Sequence, residues 1–151
     1  MPRIRVHTDI DAPPKRVWRH LRDIQSHVEW MMDAESIRFV TDRREGVGTV
    51  FVCDTKVGPI RLQDRMEVTG WREGRSMEVR HAGLVHGQGR FSLRRRGRGR
   101  TRFTWEERLR FPWWLGGPVG GVVGAQVLRL IWKRNLASLK AVVEADLRAR
   151  T

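Results

Sequence analysis

Between residues 34 and 111 apolar side chains recur at every second position. Ile37 and Phe39 open the pattern, and Gly46 and Gly48 make a turn. Phe51, Cys53, Thr55 and Val57 then share one face. After a tight turn at Gly58-Pro59 the same phase carries Ile60, Leu62, Asp64, Met66 and Val68. It resumes with Met77, Val79, His81, Gly83 and Val85, then Gly89, Phe91 and Leu93, and finally Phe103, Trp105, Glu107, Leu109 and Phe111. The opposite phase is polar, as in Arg61, Gln63, Arg65 and Glu67, or Arg102, Thr104, Glu106, Arg108 and Arg110. A period of two marks half-buried strands. Joined by short turns, they predict an antiparallel meander with one wet face.

The flanks read differently. Residues 3–10 alternate basic or polar side chains with Ile4, Val6, Thr8 and Ile10, which predicts one more strand. Asp11 is placed to cap a helix whose first turn holds Pro13 and Pro14 and whose apolar face is Val17, Trp18, Leu21 and Ile24. A second short helix is expected over 25–32, capped by Ser26, with Val28, Trp30 and Met31 as its apolar residues. Residues 118–149 predict a long helix, with Gly116-Gly117 ending the preceding strand and Pro118 at an early helical position. Leu128, Ile131, Trp132, Asn135, Leu136, Leu139, Val142 and Val143 form its stripe; Arg129, Lys133, Lys140, Glu144 and Arg148 lie opposite. Such a helix buries its stripe on the apolar face of the sheet, here Phe51, Leu62, Val79, Phe91, Phe103 and Trp105. The class is α+β.

At 151 residues the chain suits one domain, 1–151, large enough to need no covalent staples. Apolar residues at 40% and charged residues at 31% exclude a disordered chain. Cys53 is the single cysteine, so an internal disulfide and a cysteine zinc site are both excluded. No histidine pair has ligand spacing on a helix; neither a metal nor a cofactor is expected. The first residues lack the apolar run of a signal peptide, which implies a cytoplasmic protein. The net charge of +13 comes from thirty basic residues against seventeen acidic ones, and all but Lys15, Lys56, Lys133 and Lys140 of the basic residues are arginine. That skew fits a GC-rich coding sequence, and the charge itself favours anionic partners. Seven tryptophans and no tyrosine mean that any chemistry proceeds without a phenol.

Strand, two short helices, six-strand meander and long C-terminal helix: this order resembles the START/Bet v 1-like helix-grip superfamily, and within it the bacterial polyketide cyclase/dehydrase and lipid-transport group. The resemblance rests on Ile-Asp-Ala-Pro-Pro-Lys-Arg-Val-Trp (10–18), His-Val-Glu-Trp-Met (27–31) and Gly-Val-Gly-Thr (46–49). It continues in Gly-Arg-Phe-Ser-Leu (89–93), Thr-Arg-Phe-Thr-Trp-Glu (101–106) and Asn-Leu-Ala-Ser-Leu-Lys (135–140). It implies a curved seven-stranded sheet gripping the long helix, with a deep apolar cavity between them. Members of the superfamily bind sterols, lipids, hormones or polyketides there; some are cyclases or dehydratases, others carriers or receptors.

Candidate chemistry lies in polar groups on the apolar sheet face, where an unpaired polar side chain is costly. His81 and Glu107 are the catalytic candidates. A cavity imidazole titrates near neutrality and a desolvated carboxylate moves upward, which together make an acid/base pair. An aldol cyclisation followed by dehydration needs such a pair, and the resemblance implies His plus carboxylate in dehydrating members. The alternative is that Glu107 pairs with an arginine and His81 bonds a neighbouring strand or water. Because the 87–95 strand separates them, their backbones should stand about 10 Å apart, so a water or the substrate is expected to bridge them. Phe51, Cys53, Thr55, Asp64, Met66, Phe91, Trp105 and Asn135 are the expected ligand contacts. For Asn135 the alternative is a tie between the long helix and a loop or short helix. Asp64 is either a wall group or a satisfied carboxylate near a strand end, and Cys53 has no neighbour that would activate it. His7, His20, His27 and His86 carry no functional signal.

Arg94 to Arg102 holds six arginines in nine residues and reads as a hairpin turn bent at Gly97 and Gly99. It is either a solvated turn or a docking site for an acidic carrier protein delivering an acyl chain. Nucleic acid is disfavoured, because no aromatic residue is interleaved for stacking. Residues 111–128 carry no charge; their glycines and prolines argue against a membrane span. Trp113 and Trp114 are expected in a loop near the cavity mouth, where a membrane-touching tip is one reading and core packing the other. Three function classes remain: a cyclase/dehydratase on a polyketide-like chain, a non-catalytic lipid or hydrophobic-ligand carrier, and a basic protein- or nucleic-acid-binding module.

Overall fold

The computed structural model describes residues 3–83, 85–110 and 117–150; side chains are described from residue 122 onward in the last stretch. Phe111, Trp113 and Trp114, assigned above to the end of the last strand and to a loop, lie outside the described residues.

The strands are β1 (Arg3–Ile10), β2 (Ala34–Phe39), β3 (Val50–Val57), β4 (Ile60–Arg72), β5 (Ser76–Ala82), β6 (His86–Arg95) and β7 (Thr101–Arg110). Between β1 and β2 run helix α1 (Pro14–Arg22) and a 3-10 helix (Ile24–Glu29); α2 (Gly117–Ala149) follows β7. The sheet has seven antiparallel strands in the order β1-β7-β6-β5-β4-β3-β2. The chain thus meanders from β2 to β7, and β1 closes on the far side of β7. This is the helix-grip arrangement, in which sheet and long helix enclose a common interior.

The wet face explains much of the arginine content. Register places Glu67 opposite Arg80, Glu78 opposite Arg90, Arg5 opposite Glu106 and Asp9 opposite Arg102. Each pair forms an ion pair across neighbouring strands. Opposite charges facing each other across a ladder stabilise a sheet modestly. The 94–102 hairpin is partly engaged in the same way, because Arg100 pairs with Asp11 and Arg102 with Asp9.

Three local expectations are corrected. Asp11 does not cap α1; Pro13 takes that place without a side-chain bond, and the Asp11 carboxylate goes to Arg100. A proline at the helix start has no N–H to satisfy, so the side-chain cap is less needed. The second helix is a 3-10 turn over Ile24–Glu29, and Ser26 lies inside it, donating to the Asp23 and His20 carbonyls. Strand β5 ends at Ala82, short of Gly83 and Val85.

The interior is divided. At one end Trp30, from the turn after the 3-10 helix, sits against Phe91, Phe103 and Trp105 and is 1% exposed. On α2, Trp132, Leu136, Leu139 and Val143 are buried, and Trp132 stacks on Trp105 with ring centroids 4.5 Å apart. The stripe does not close onto the whole sheet. Phe51, Leu62 and Val79 face a cavity instead, and Leu128 is only half-buried along its edge. Among the described residues no helix is long and apolar enough to cross a membrane.

Candidate functional site: a buried Asp-His-Glu cluster in an apolar cavity

The cavity between sheet and α2 has a volume of about 430 Å³, within the range of small-molecule sites. Its walls are largely aliphatic, methionine and aromatic. Phe51, Cys53, Thr55, Asp64, Met66, Phe91 and Trp105 all line it, as do His81 and Glu107.

The strand register builds the polar part. Met66 on β4 lies opposite His81 on β5, so Asp64 sits one cavity-facing position further along and reaches His81 diagonally. His81 Nδ1 is 2.5 Å from Asp64 Oδ2. On the other side of the ring, His81 Nε2 is 2.9 Å from Glu107 Oε2. That contact is not an aligned hydrogen bond; the ion pair is made by proximity. Trp105 Nε1 donates to the other Glu107 oxygen, Oε1, at 3.0 Å. The imidazole is 7% exposed and is bracketed by two carboxylates.

This overturns the expected gap between His81 and Glu107. Strand β6 does lie between β5 and β7, but its cavity-facing positions there are glycines. Gly87 is paired with His81 and Leu109, and Gly89 with Val79 and Glu107. Glu107 folds over Gly89 so closely that a Cβ there would stand 2.7 Å from Oε1. A strand without side chains at this point lets two long side chains meet above its backbone. The alternation Gly87, Gly89 in a strand otherwise reading Phe91, Leu93 was the available signal.

The charge state also differs from expectation. Burial alone would lower the His81 pKa, but the Glu107 charge and the Asp64 hydrogen bond more than offset it and raise it to about 10. At neutral pH His81 is therefore an imidazolium, not a titrating base.

Among the lining residues that sequence reasoning did not place in the cavity, two titratable ones face inward. Asp33, just ahead of β2, lines the cavity, and its pKa is raised by burial against the opposing hydrogen bond from Asn135. Asn135 Nδ2 donates to Asp33 Oδ1 at 2.7 Å, while Asn135 Oδ1 accepts from the Met32 N–H at 2.9 Å. Asn135 is fully buried and does not line the cavity; the expected ligand contact is replaced by a tie from α2 that positions Asp33. No periodic pattern marks a loop carboxylate, so Asp33 had no sequence signal. The other is His27, whose Nε2 donates to the Leu21 carbonyl at 2.7 Å; burial pushes its pKa down to about 4, so it is neutral. Cys53 lines the wall, and burial pushes its thiol up to about 11, which leaves it unreactive at neutral pH. Among the described residues no group of three His, Cys, Asp or Glu side chains is arranged to hold a metal ion.

The fold and this cavity agree with what the chain resembles. It belongs to the polyketide cyclase/dehydrase and lipid transport family, whose model matches residues 1–144. A comparison with curated proteins finds no match. Among solved structures, the chain is similar to TTHA0849 from Thermus thermophilus, at 20% identity and a TM-score of 0.81, over 96% of this chain and 99% of that one. It is also similar to the Zhui aromatase/cyclase from Streptomyces sp. R1128, at 17% identity and a TM-score of 0.77, over 99% and 97% of the two chains. A START superfamily protein from Mycobacterium smegmatis matches at 11% identity and a TM-score of 0.79, over 95% and 97%. At these identities the likeness carries the fold.

Proposed function

We propose that this protein binds an apolar, polyketide-like molecule in the cavity and catalyses its cyclisation and dehydration. The carrying observation is the Asp64–His81–Glu107 cluster in an otherwise apolar wall. Taking charged groups out of water costs several kcal/mol per ion, which pairing offsets only in part. A cavity that only holds a hydrophobic guest has no use for that expense.

The geometry supports a closed proton cycle. Glu107 takes an α-proton from a methylene beside a carbonyl. The enolate carbon attacks a second carbonyl carbon of the same chain, and the new alkoxide takes a proton from the His81 imidazolium. Nε2 and Oε2 stand 2.9 Å apart, so a small turn of the carboxylate aligns them for the proton on Glu107 to return to His81. Loss of water repeats the sequence: Glu107 takes the next α-proton and His81 protonates the departing hydroxyl. Asp64 holds Nδ1 and keeps the ring oriented, while Trp105 fixes the second Glu107 oxygen.

The test is turnover of a thioester-linked poly-β-keto chain, followed as loss of water by mass spectrometry. His81→Ala and Glu107→Gln should each abolish it while ligand affinity stays within about tenfold, because these groups serve the transition state more than the ground state. Full activity in both variants would sink the acid/base reading.

The aliphatic and methionine lining, with Met31, Met66 and Met77 on the wall, favours a carrier as the second reading. Mass spectrometry of what copurifies with the protein separates the two: an intact lipid supports a carrier, a cyclised product an enzyme. A cytoplasmic location suits either. A basic nucleic-acid module is not favoured, since wet-face Arg80, Arg90 and Arg102 already face carboxylates across the sheet.

A further inference from the structure

The protein surface is strongly cationic; the cavity is not. The charged or titratable side chains among its described lining residues are Asp33, Asp64, Glu107, His81, His27, Cys53 and Arg90. Arg90 stands on the outer face of β6, exposed, with its Nε 3.5 Å from Glu78. His27 is neutral and its Nε2–H is taken by Leu21; Cys53 keeps its proton. The wall therefore holds three carboxyl groups and one ionisable imidazole, which Asp64 and Glu107 bracket. Even with a proton on His81, the inner wall holds more acidic groups than cations. It is also rich in acceptor oxygens, while both His81 nitrogens already face carboxylates.

Charges inside such a wall act through a low effective dielectric, whereas the surface arginines act through water and salt. A guest carboxylate entering the cavity would lose its hydration and meet like charge. A hydroxyl, enol or amine would meet acceptors.

We propose that the cavity selects apolar ligands carrying a hydrogen-bond donor, neutral or cationic, and rejects carboxylates of the same shape, although the surface of the protein attracts them. This rests on the reading of the cavity as a small-molecule site.

The experiment titrates the full chain at pH 7 by calorimetry with three ligands built on one ring: 2-naphthol, 2-naphthylmethylammonium and 2-naphthoate. The last two both lose the hydration of a full charge, so their comparison reads the sign of the field. Titrations at low and high salt separate surface capture, which salt releases, from cavity binding, which persists. The expected result is that the ammonium binds at least about tenfold more tightly than the carboxylate at high salt, with the naphthol at least as tight as the ammonium. In an Asp33→Asn/Glu107→Gln variant the gap between ammonium and carboxylate should narrow. Naphthoate binding as tightly as the ammonium at high salt would overturn the inference while leaving the cavity reading intact. No saturable binding of any of the three would remove the cavity reading and the inference with it.

Discussion

The two cavity histidines answer burial in opposite ways. His27 gains one carbonyl partner and loses its charge; His81 gains two carboxylates and keeps it. Their linkage to stability follows. The unfolded chain protonates histidine near 6.5. For His27, whose folded pKa is about 4, the unfolded state binds more proton between these values, so stability rises from pH 4 to 6.5. For His81, raised to about 10, the contribution is complete below 6.5 and lost as pH climbs toward 10. Urea midpoints across this range should therefore rise and then fall, and a His81→Gln variant should lack the alkaline fall. A variant with the same alkaline slope as wild type would show that His81 is not the proton lost. The two glycines beside the cluster should also differ. Gly87 has φ +149 and a Cβ there would stand 1.9 Å from the Arg108 carbonyl oxygen, so Gly87→Ala should unfold or severely destabilise the protein. At Gly89 the neighbour is the end of a flexible side chain. Gly89→Ala should therefore leave the fold intact, push Glu107 away from His81 and lower the His81 pKa, as read by NMR titration.

Among the elements, the strands and α2 were legible because each repeats its period over many residues. The six-strand meander and the buried stripe of Trp132, Leu136, Leu139 and Val143 follow from alternation and helical spacing, whereas alternation marks β1 as a strand and not its place beside β7. Leu136→Ala and Leu139→Ala should each cost roughly 2–5 kcal/mol in urea unfolding, since both side chains are essentially unexposed. Short elements were less legible. Proline at the start of α1 displaced the expected Asp11 cap, and six residues were too few to tell a 3-10 turn from an α-helix. The site was half-legible for a related reason. Alternation turns His81, Asp64 and Glu107 inward but carries no information on side-chain reach across a third strand, which the glycines of β6 decide. Asp33 depends on a loop, where no period operates. For the basic hairpin, Arg100 and Arg102 already hold Asp11 and Asp9. If the hairpin also receives an acidic carrier protein, neutralising Arg95, Arg98 and Arg100 should weaken that association and flatten its salt dependence. An unchanged salt slope would leave the hairpin a solvated turn.

On the scale of the whole molecule, the fold separates two electrostatic environments. Arginines on the wet face pair across strands or meet solvent, and on the inner wall Asp64 and Glu107 bracket the His81 imidazole. Four neighbouring strands cooperate in this: β4 supplies Asp64, β5 His81, β7 Glu107, and β6 the gap that lets them meet. Helix α2 adds Asn135, which holds Asp33, and Trp132, which stacks on the tryptophan that holds Glu107. The proposed chemistry requires that this assembly keep a proton on His81 at neutral pH. The most direct measurement is an NMR titration of the His81 ring nitrogens in the ligand-free protein, assigned with His81→Gln. Both nitrogens should show the protonated signature through neutral pH, and one of them should lose it only near pH 10. A ring that titrates near the ordinary 6.5 would contradict the cluster and the proton cycle built on it.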